Sequence, residues 1–217
     1  MRRTIQQNRF IGIFLFCCIS TASFSQTLKE AFGNNESPIV YLGIDFSKCK
    51  LLDDGNPSEI RDNYYVSIND LIIVEAKKFD LSGAFQKNNI EHDLSAVKKN
   101  NAKANLDEII STDKKDFNRF KESDIAAMVN DLDLSGKQGI GFVFVMEAMR
   151  KIEKNSSAAI WVTFIDMKSK KVLMTERVDS KVIGGFGFRN YWASTIKNLI
   201  DNIEKKKYKE WKSKYSN

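Results

Sequence analysis

From Ile140 to Met149 the chain runs IGFVFVMEAM, with Glu147 as its only charge. Successive side chains of a strand point to opposite faces of a sheet, so a segment apolar at every position must be covered on both. The run therefore predicts a central strand, and it requires other elements to supply the cover. The segments downstream of it supply part. Ala158 to Asp166 places Trp161, Thr163 and Ile165 on one face and Ile160, Val162 and Phe164 on the other. Lys168, Ser169 and Lys170 close a hairpin into Val172–Val182, where Thr175, Glu176, Arg177 and Asp179 mark a more exposed strand. Gly184, Gly185 and Gly187 then form a flexible turn into a helix. On that helix Tyr191, Trp192, Thr195, Ile196, Leu199, Ile200 and Ile203 share one face, with Tyr208 and Trp211 placed to continue it.

Upstream the grammar is similar. Ile39 to Phe46 (IVYLGIDF) is β-branched and aromatic, and reads as a first strand buried on both faces. Asp53 to Pro57 is a turn-rich loop. It leads into a helix with Asn56 as its cap, Pro57 in its first position and Glu59 three residues after the cap. The stripe of Ile60, Tyr64, Ile68, Leu71 and Ile72 predicts that this helix runs to about Lys78. Leu81 to Phe85 has the look of a short strand, while Ile90 to Ile110 is compatible with strand, helix or ordered loop. Ile125, Met128, Val129 and Leu132 predict another helix, capped by Ser123 and ended before Gly136. These elements make an α+β fold: a mixed sheet of four or five strands whose last three form an antiparallel meander. About three helices back it, the long C-terminal one included.

The first 25 residues stand apart. Arg2, Arg3 and Arg9 surround the start of a short apolar run, Phe10 to Ile19, and Ser23 and Ser25 precede a cut before Gln26. That is the pattern of a secretory signal peptide, 1–25, leaving 26–217 as one domain and no integral membrane span after cleavage. A lipoprotein signal wants a small residue before its cysteine. Phe16 precedes Cys17 and Cys17 precedes Cys18, so a lipid anchor is not expected. Three arginines leave with the signal, and the formal net charge of +6 falls to about +3. Export and that modest charge argue against a nucleic-acid partner. Cys49 is then the one remaining cysteine, expected to be a buried thiol.

Few residue patterns carry chemistry. His92 is the only histidine, so a multi-histidine metal site or a Ser-His-Asp triad must use it or fail, and no motif surrounds it. Ser95 with Lys98, and Ser194 with Lys197, both fit the Ser-x-x-Lys spacing of acyl-transfer enzymes, but neither has the accompanying Lys-Thr-Gly. Asp131, Asp133, Ser135 and Gly136 imitate the start of a calcium loop, yet its twelfth position is Phe142 rather than a bidentate glutamate. Glu91 and Asp93 are acids without a stated geometry. No catalytic residue, metal ligand or cofactor is nominated. The candidate binding residues are Arg189, Asn190 and Trp192, which crowd the glycine turn at the start of the last helix, where a helix N-terminus favours anions.

Four segments carry a resemblance: Tyr41–Phe46, Gly139–Val145, Trp161–Asp166 and Gly185–Trp192. Together they resemble an uncharacterised family of secreted and periplasmic proteins of Gram-negative bacteria, which has no assigned activity and so implies no site. The order of elements is similar to that of the periplasmic domain of the curli-secretion lipoprotein and of the TolB amino-terminal domain. That similarity implies a mixed sheet backed by helices and a role in envelope assembly or partner binding, the partner being another envelope or extracellular protein. A periplasmic or extracellular, non-enzymatic binding protein is the first expectation. The second is an exported hydrolase acting on cell-wall or polysaccharide material through carboxylates that cannot be paired from sequence.

Overall fold

The computed structural model describes residues 28–152 and 155–216; the signal segment 1–25 lies outside them. Its centre is a six-stranded mixed sheet. In chain order the strands are β1 (Ile39–Asp45), β2 (Lys50–Leu52), β3 (Glu91–His92), β4 (Ile140–Arg150), β5 (Ser157–Asp166) and β6 (Lys171–Lys181). The spatial order is β3-β1-β4-β5-β6, with β2 also paired to β4 beyond the end of β1. β1 and β2 run parallel to β4, whereas β4, β5 and β6 form the expected antiparallel meander.

Helices cover both faces, which is why β1, β4 and β5 are buried along nearly their whole length and largely apolar, with Asp45, Glu147 and Thr163 as buried exceptions. One face is packed by α1 (Leu28–Gly33), α3 (Tyr65–Val74), α4 (Leu81–Ala84), α7 (Gly187–Asn202) and α8 (Tyr208–Tyr215), while the single turn α2 (Pro57–Glu59) leads into α3 and buries no residue. Phe142, Phe144, Ile160, Val162 and Phe164 meet Trp192, Ile196 and Leu199 there. The other face is packed by α5 (Ser95–Asn101) and α6 (Glu122–Asp131), where Val97, Ile125, Met128 and Val129 bury Val143, Val145, Trp161 and Ile165.

Two long helices contain a π turn apiece, and each shifts the apolar stripe by one residue. Between α2 and α3 the turn Ile60–Tyr64 puts Tyr65, fully buried, into the core. Tyr64, assigned to the stripe from its spacing, instead sits half-buried at the rim and stacks on Phe188 with ring centroids 4.4 Å apart. Between α7 and α8 the turn Ile203–Lys207 carries the stripe from Ile203 to Tyr208 and Trp211, both buried.

Other sequence expectations need correction. The helix from Pro57 is capped as expected, Asn56 Oδ1 accepting from Ser58 and Glu59 N–H, but α3 ends at Val74 rather than near Lys78. Leu81–Phe85 is not a strand: Asp80 accepts from Gly83 N–H at 2.8 Å and starts the single turn α4. Ser123 does not cap α6; Lys121 occupies that position, and Asp124 accepts from Lys121 N–H at 2.8 Å. The stretch 90–110 resolves into β3, α5 and a 3₁₀ turn at Leu106–Glu108.

Candidate functional site

At the end of the sheet where β2 and β4 finish, β5 begins and β6 ends, the surface opens into a groove with two lobes. The strands align there as a row of Arg150, Ser157 and Lys181. Beyond the row, Ser156 ties the loops together: its hydroxyl accepts from Ile152 N–H at 3.0 Å and its carbonyl from Val182 N–H at 2.9 Å. Ile183 N–H then bonds Ser194 Oγ at 3.2 Å, so the chain leaving β6 lies against the first turns of α7.

The first lobe, about 350 Å³, lies at the N-terminus of α7 and is lined by Asp53, Asp54, Lys151, Gly187, Phe188, Tyr191 and Trp192. The glycine turn shapes it. Gly185 has φ +104°, and a Cβ there would come within 2.4 Å of the Asn190 carbonyl oxygen, so only glycine lets the turn fold back on the helix. That leaves Phe186 94% exposed. No side chain caps α7, and its first turn holds no acid. The second lobe, about 360 Å³, shares Asp53, Asp54 and Lys151 and extends under Leu52, Ile110, Ser111, Thr112, Lys114, Arg150 and Ile152. Lys151 and Asp53 form an ion pair at 3.1 Å between the lobes.

The three candidate binding residues take different positions. Arg189 is exposed and its Nε donates to Asn190 Oδ1 at 3.3 Å. Asn190 is half-buried, and both flank the first lobe rather than line it. Trp192 is a core residue that borders the lobe from below and packs edge-on against Tyr191. Sequence reasoning missed Asp53, Asp54, Arg150 and Lys151. They form two adjacent pairs far apart along the chain; by themselves Asp53 and Asp54 read as a turn, and Arg150 and Lys151 as a solvated strand end.

The remaining chemical candidates are held elsewhere. Ser95 Oγ donates to Asp93 at 2.6 Å while Lys98 pairs with Asp70 at 2.8 Å; Ser194 Oγ donates to the Tyr191 carbonyl while Lys197 pairs with Asp201. Neither serine contacts its lysine. Asp131 and Asp133 are paired with Lys48 and Lys99. His92 is exposed on β3, edge-on to the Tyr41 ring.

Cys49 is buried and unpaired by any disulfide, and burial pushes its thiol from an ordinary value near 9 up to about 12. A raised pKa in the folded state favours the fold while the thiol stays protonated. Its contribution is complete below about pH 9 and is lost as the pH rises from there through about 12. Because the thiolate is the reactive form, a thiol-specific chromogenic reagent at pH 8 should label residues 26–217, whose one cysteine is Cys49, at least ~100-fold more slowly in the native than in the urea-unfolded state. Equal rates would show that Cys49 is accessible.

No family model and no curated protein matches this chain. Among solved structures it is similar to a Helicobacter pylori protein described as a neuraminyllactose-binding hemagglutinin homolog. The match covers 83% of this chain and 91% of the other, at 10% identity and a TM-score of 0.30. Likeness at that level carries no argument about function, and it lends no support to the similarity with curli-secretion or TolB domains. Among the described residues, no helix is long and apolar enough to cross a membrane.

Proposed function

We propose that this chain is an exported, non-enzymatic binding or envelope-assembly protein, periplasmic or extracellular, which engages a partner protein at the sheet-end groove. One observation carries the reading. Five large apolar side chains are exposed among the described residues, and three of them, Ile152, Ile183 and Phe186, gather at this end of the sheet. Exposed apolar residues scattered singly need no explanation, but a group of them rimming a groove marks an interaction surface. Residues 1–25 supply the reading of export, and 26–217 form the domain that works outside the cytoplasm.

The hydrolase reading needs a perturbed acid in the groove. Burial raises the Asp45 carboxyl, but that residue is 1% exposed and accepts from Ser47 N–H and Asn100 Nδ2. Lys87, lowered to about 8 by burial and by Lys212, donates to the Asn34 carbonyl on the α1 side. Neither group lines either lobe.

The test is affinity capture from an envelope fraction with the wild-type chain and with Arg189→Ala/Asn190→Ala. Both side chains flank the groove and bond mainly each other, so the double variant should keep its melting temperature within about 2 °C while partner recovery falls at least ~5-fold. Undiminished recovery would remove the glycine-turn lobe from the interface.

A further inference from the structure

We propose that the second lobe, under the ends of β2 and β4, binds a small organic anion: an apolar group carrying a carboxylate or phosphate, anchored by Arg150. Five arginines are described, and four have polar partners in the protein. Arg61 bonds Asp62, Arg119 bonds the Lys48 carbonyl, Arg177 bonds Glu147 and Asp179, and Arg189 bonds Asn190. Arg150 is half-buried, yet it bonds no carboxylate or carbonyl among the described residues, and its Nε is sealed from solvent with no partner. The guanidinium instead makes a cation–π stack on the Phe117 ring, 3.8 Å from the centroid.

Nε, like that of Arg119, is sealed and carries the cost of a buried donor without an acceptor whatever occupies the lobe, so a ligand there would meet the two terminal nitrogens, which have no partner among the described residues. Stacking fixes the plane of the guanidinium, so its fork of donors is held ready for a planar or tetrahedral oxyanion. The lobe has the matching shape and charge. Leu52, Ile110 and Ile152 offer an apolar wall, while Thr112 and Lys114 stand exposed at its mouth. Its cations outnumber its carboxylates by one, and Asp53 is already engaged by Lys151. A largely apolar cavity of about 360 Å³ with a few convergent polar groups is of the size that holds a small ligand. The lobe shares Asp53, Asp54 and Lys151 with the glycine-turn lobe, and Ile152 belongs to the partner surface as well, but Arg150 lines this lobe alone, so its variant tests the anion site separately from the Arg189/Asn190 variant.

The experiment is calorimetric titration of the purified protein with octanoate, octyl phosphate and, as the uncharged control, octanol. One or both anions should bind at least ~10-fold tighter than octanol, and Arg150→Gln should weaken them ~10- to 100-fold, leaving octanol unchanged. Thr112→Val, at an exposed position that cannot unfold the chain, should weaken the anions ~3-fold. Vesicles containing phosphatidylglycerol separate the sources of the anion: binding that Arg150→Gln abolishes assigns a lipid headgroup, and anion binding without vesicle binding assigns a soluble ligand. Anions that bind no better than octanol, or that bind folded Arg150→Gln as tightly as wild type, would overturn the proposal.

Discussion

Replacing Glu147 with alanine should cost roughly 3–5 kcal/mol, a large fraction of the stability of a domain this size. The side chain is fully buried in the middle of β4, and its carboxylate is saturated. Oε1 accepts from the backbone N–H groups of Arg119 and Phe120; Oε2 accepts from Trp161 Nε1 and Arg177 Nε, each at 2.9 Å. Four donors meet the four lone-pair sites that a carboxylate offers. Alanine leaves all four without this acceptor and opens a cavity beside Trp161. Glutamine should be nearly as damaging, because its amide would present hydrogens to the indole or to Arg177. Urea denaturation followed by tryptophan fluorescence measures the loss, and a change below ~1 kcal/mol in either variant would show that the carboxylate is not needed. The effect should reach the groove as well. Arg177 also donates to the Phe117 carbonyl at 2.6 Å, so the network fixes the segment whose ring lies under Arg150.

Glu147 also shows what the sequence could and could not disclose. An acid within an otherwise apolar strand was visible as an exception, but its partners come from a segment 27 and 28 residues upstream, from the adjacent β5 and from β6 beyond it. β1, β4 and β5 were legible because burial on both faces forces an apolar residue at nearly every position. β2 and β3 were not, because segments of three and two residues carry no periodicity, and their pairing is imposed by β4 and β1. Helix stripes were legible except across the first π turn, where an extra residue breaks the 3.6-residue period and moves Tyr65 inward in place of Tyr64; across the second, Tyr208 and Trp211 continue the stripe as expected. The glycine turn stood out because three glycines beside a helix start are unusual in composition. Arg150 did not stand out: a basic residue closing a strand is ordinary, and only the missing partner makes it notable.

The end of β1 carries the second large effect. Its pairing with β4 slips between Tyr41 and Ile44, and the slip is made by Gly43, at φ +101°. Just past it the sheet ladder is replaced by side chains. Asn69 Oδ1 accepts from Ile44 N–H at 2.7 Å while its Nδ2 donates to the Ile44 and Tyr65 carbonyls. Asn101 accepts from Phe46 N–H at 2.7 Å and donates to the Ile44 carbonyl. Asparagines from α3 and α5 thus satisfy backbone groups that the irregular strand leaves open, as buried groups require. A Cβ at position 43 would lie 2.6 Å from Val97 Cγ2, 2.8 Å from Asn69 Oδ1 and 2.8 Å from Leu94 Cδ2. Gly43→Ala therefore combines backbone strain of about 1–3 kcal/mol with overpacking of about 1–3 kcal/mol, and it pushes on the one asparagine that holds Ile44 N–H. Gly136→Ala provides the control, since Gly136 also has positive φ, +77°, with nothing within 4 Å of its would-be Cβ. It should lose the backbone contribution alone, near the low end of that range. Thermal and urea unfolding of the two variants separates strain from crowding. If both lose the same stability, the close packing of α3 and α5 around Gly43 contributes nothing, and the bulge is held by backbone geometry alone.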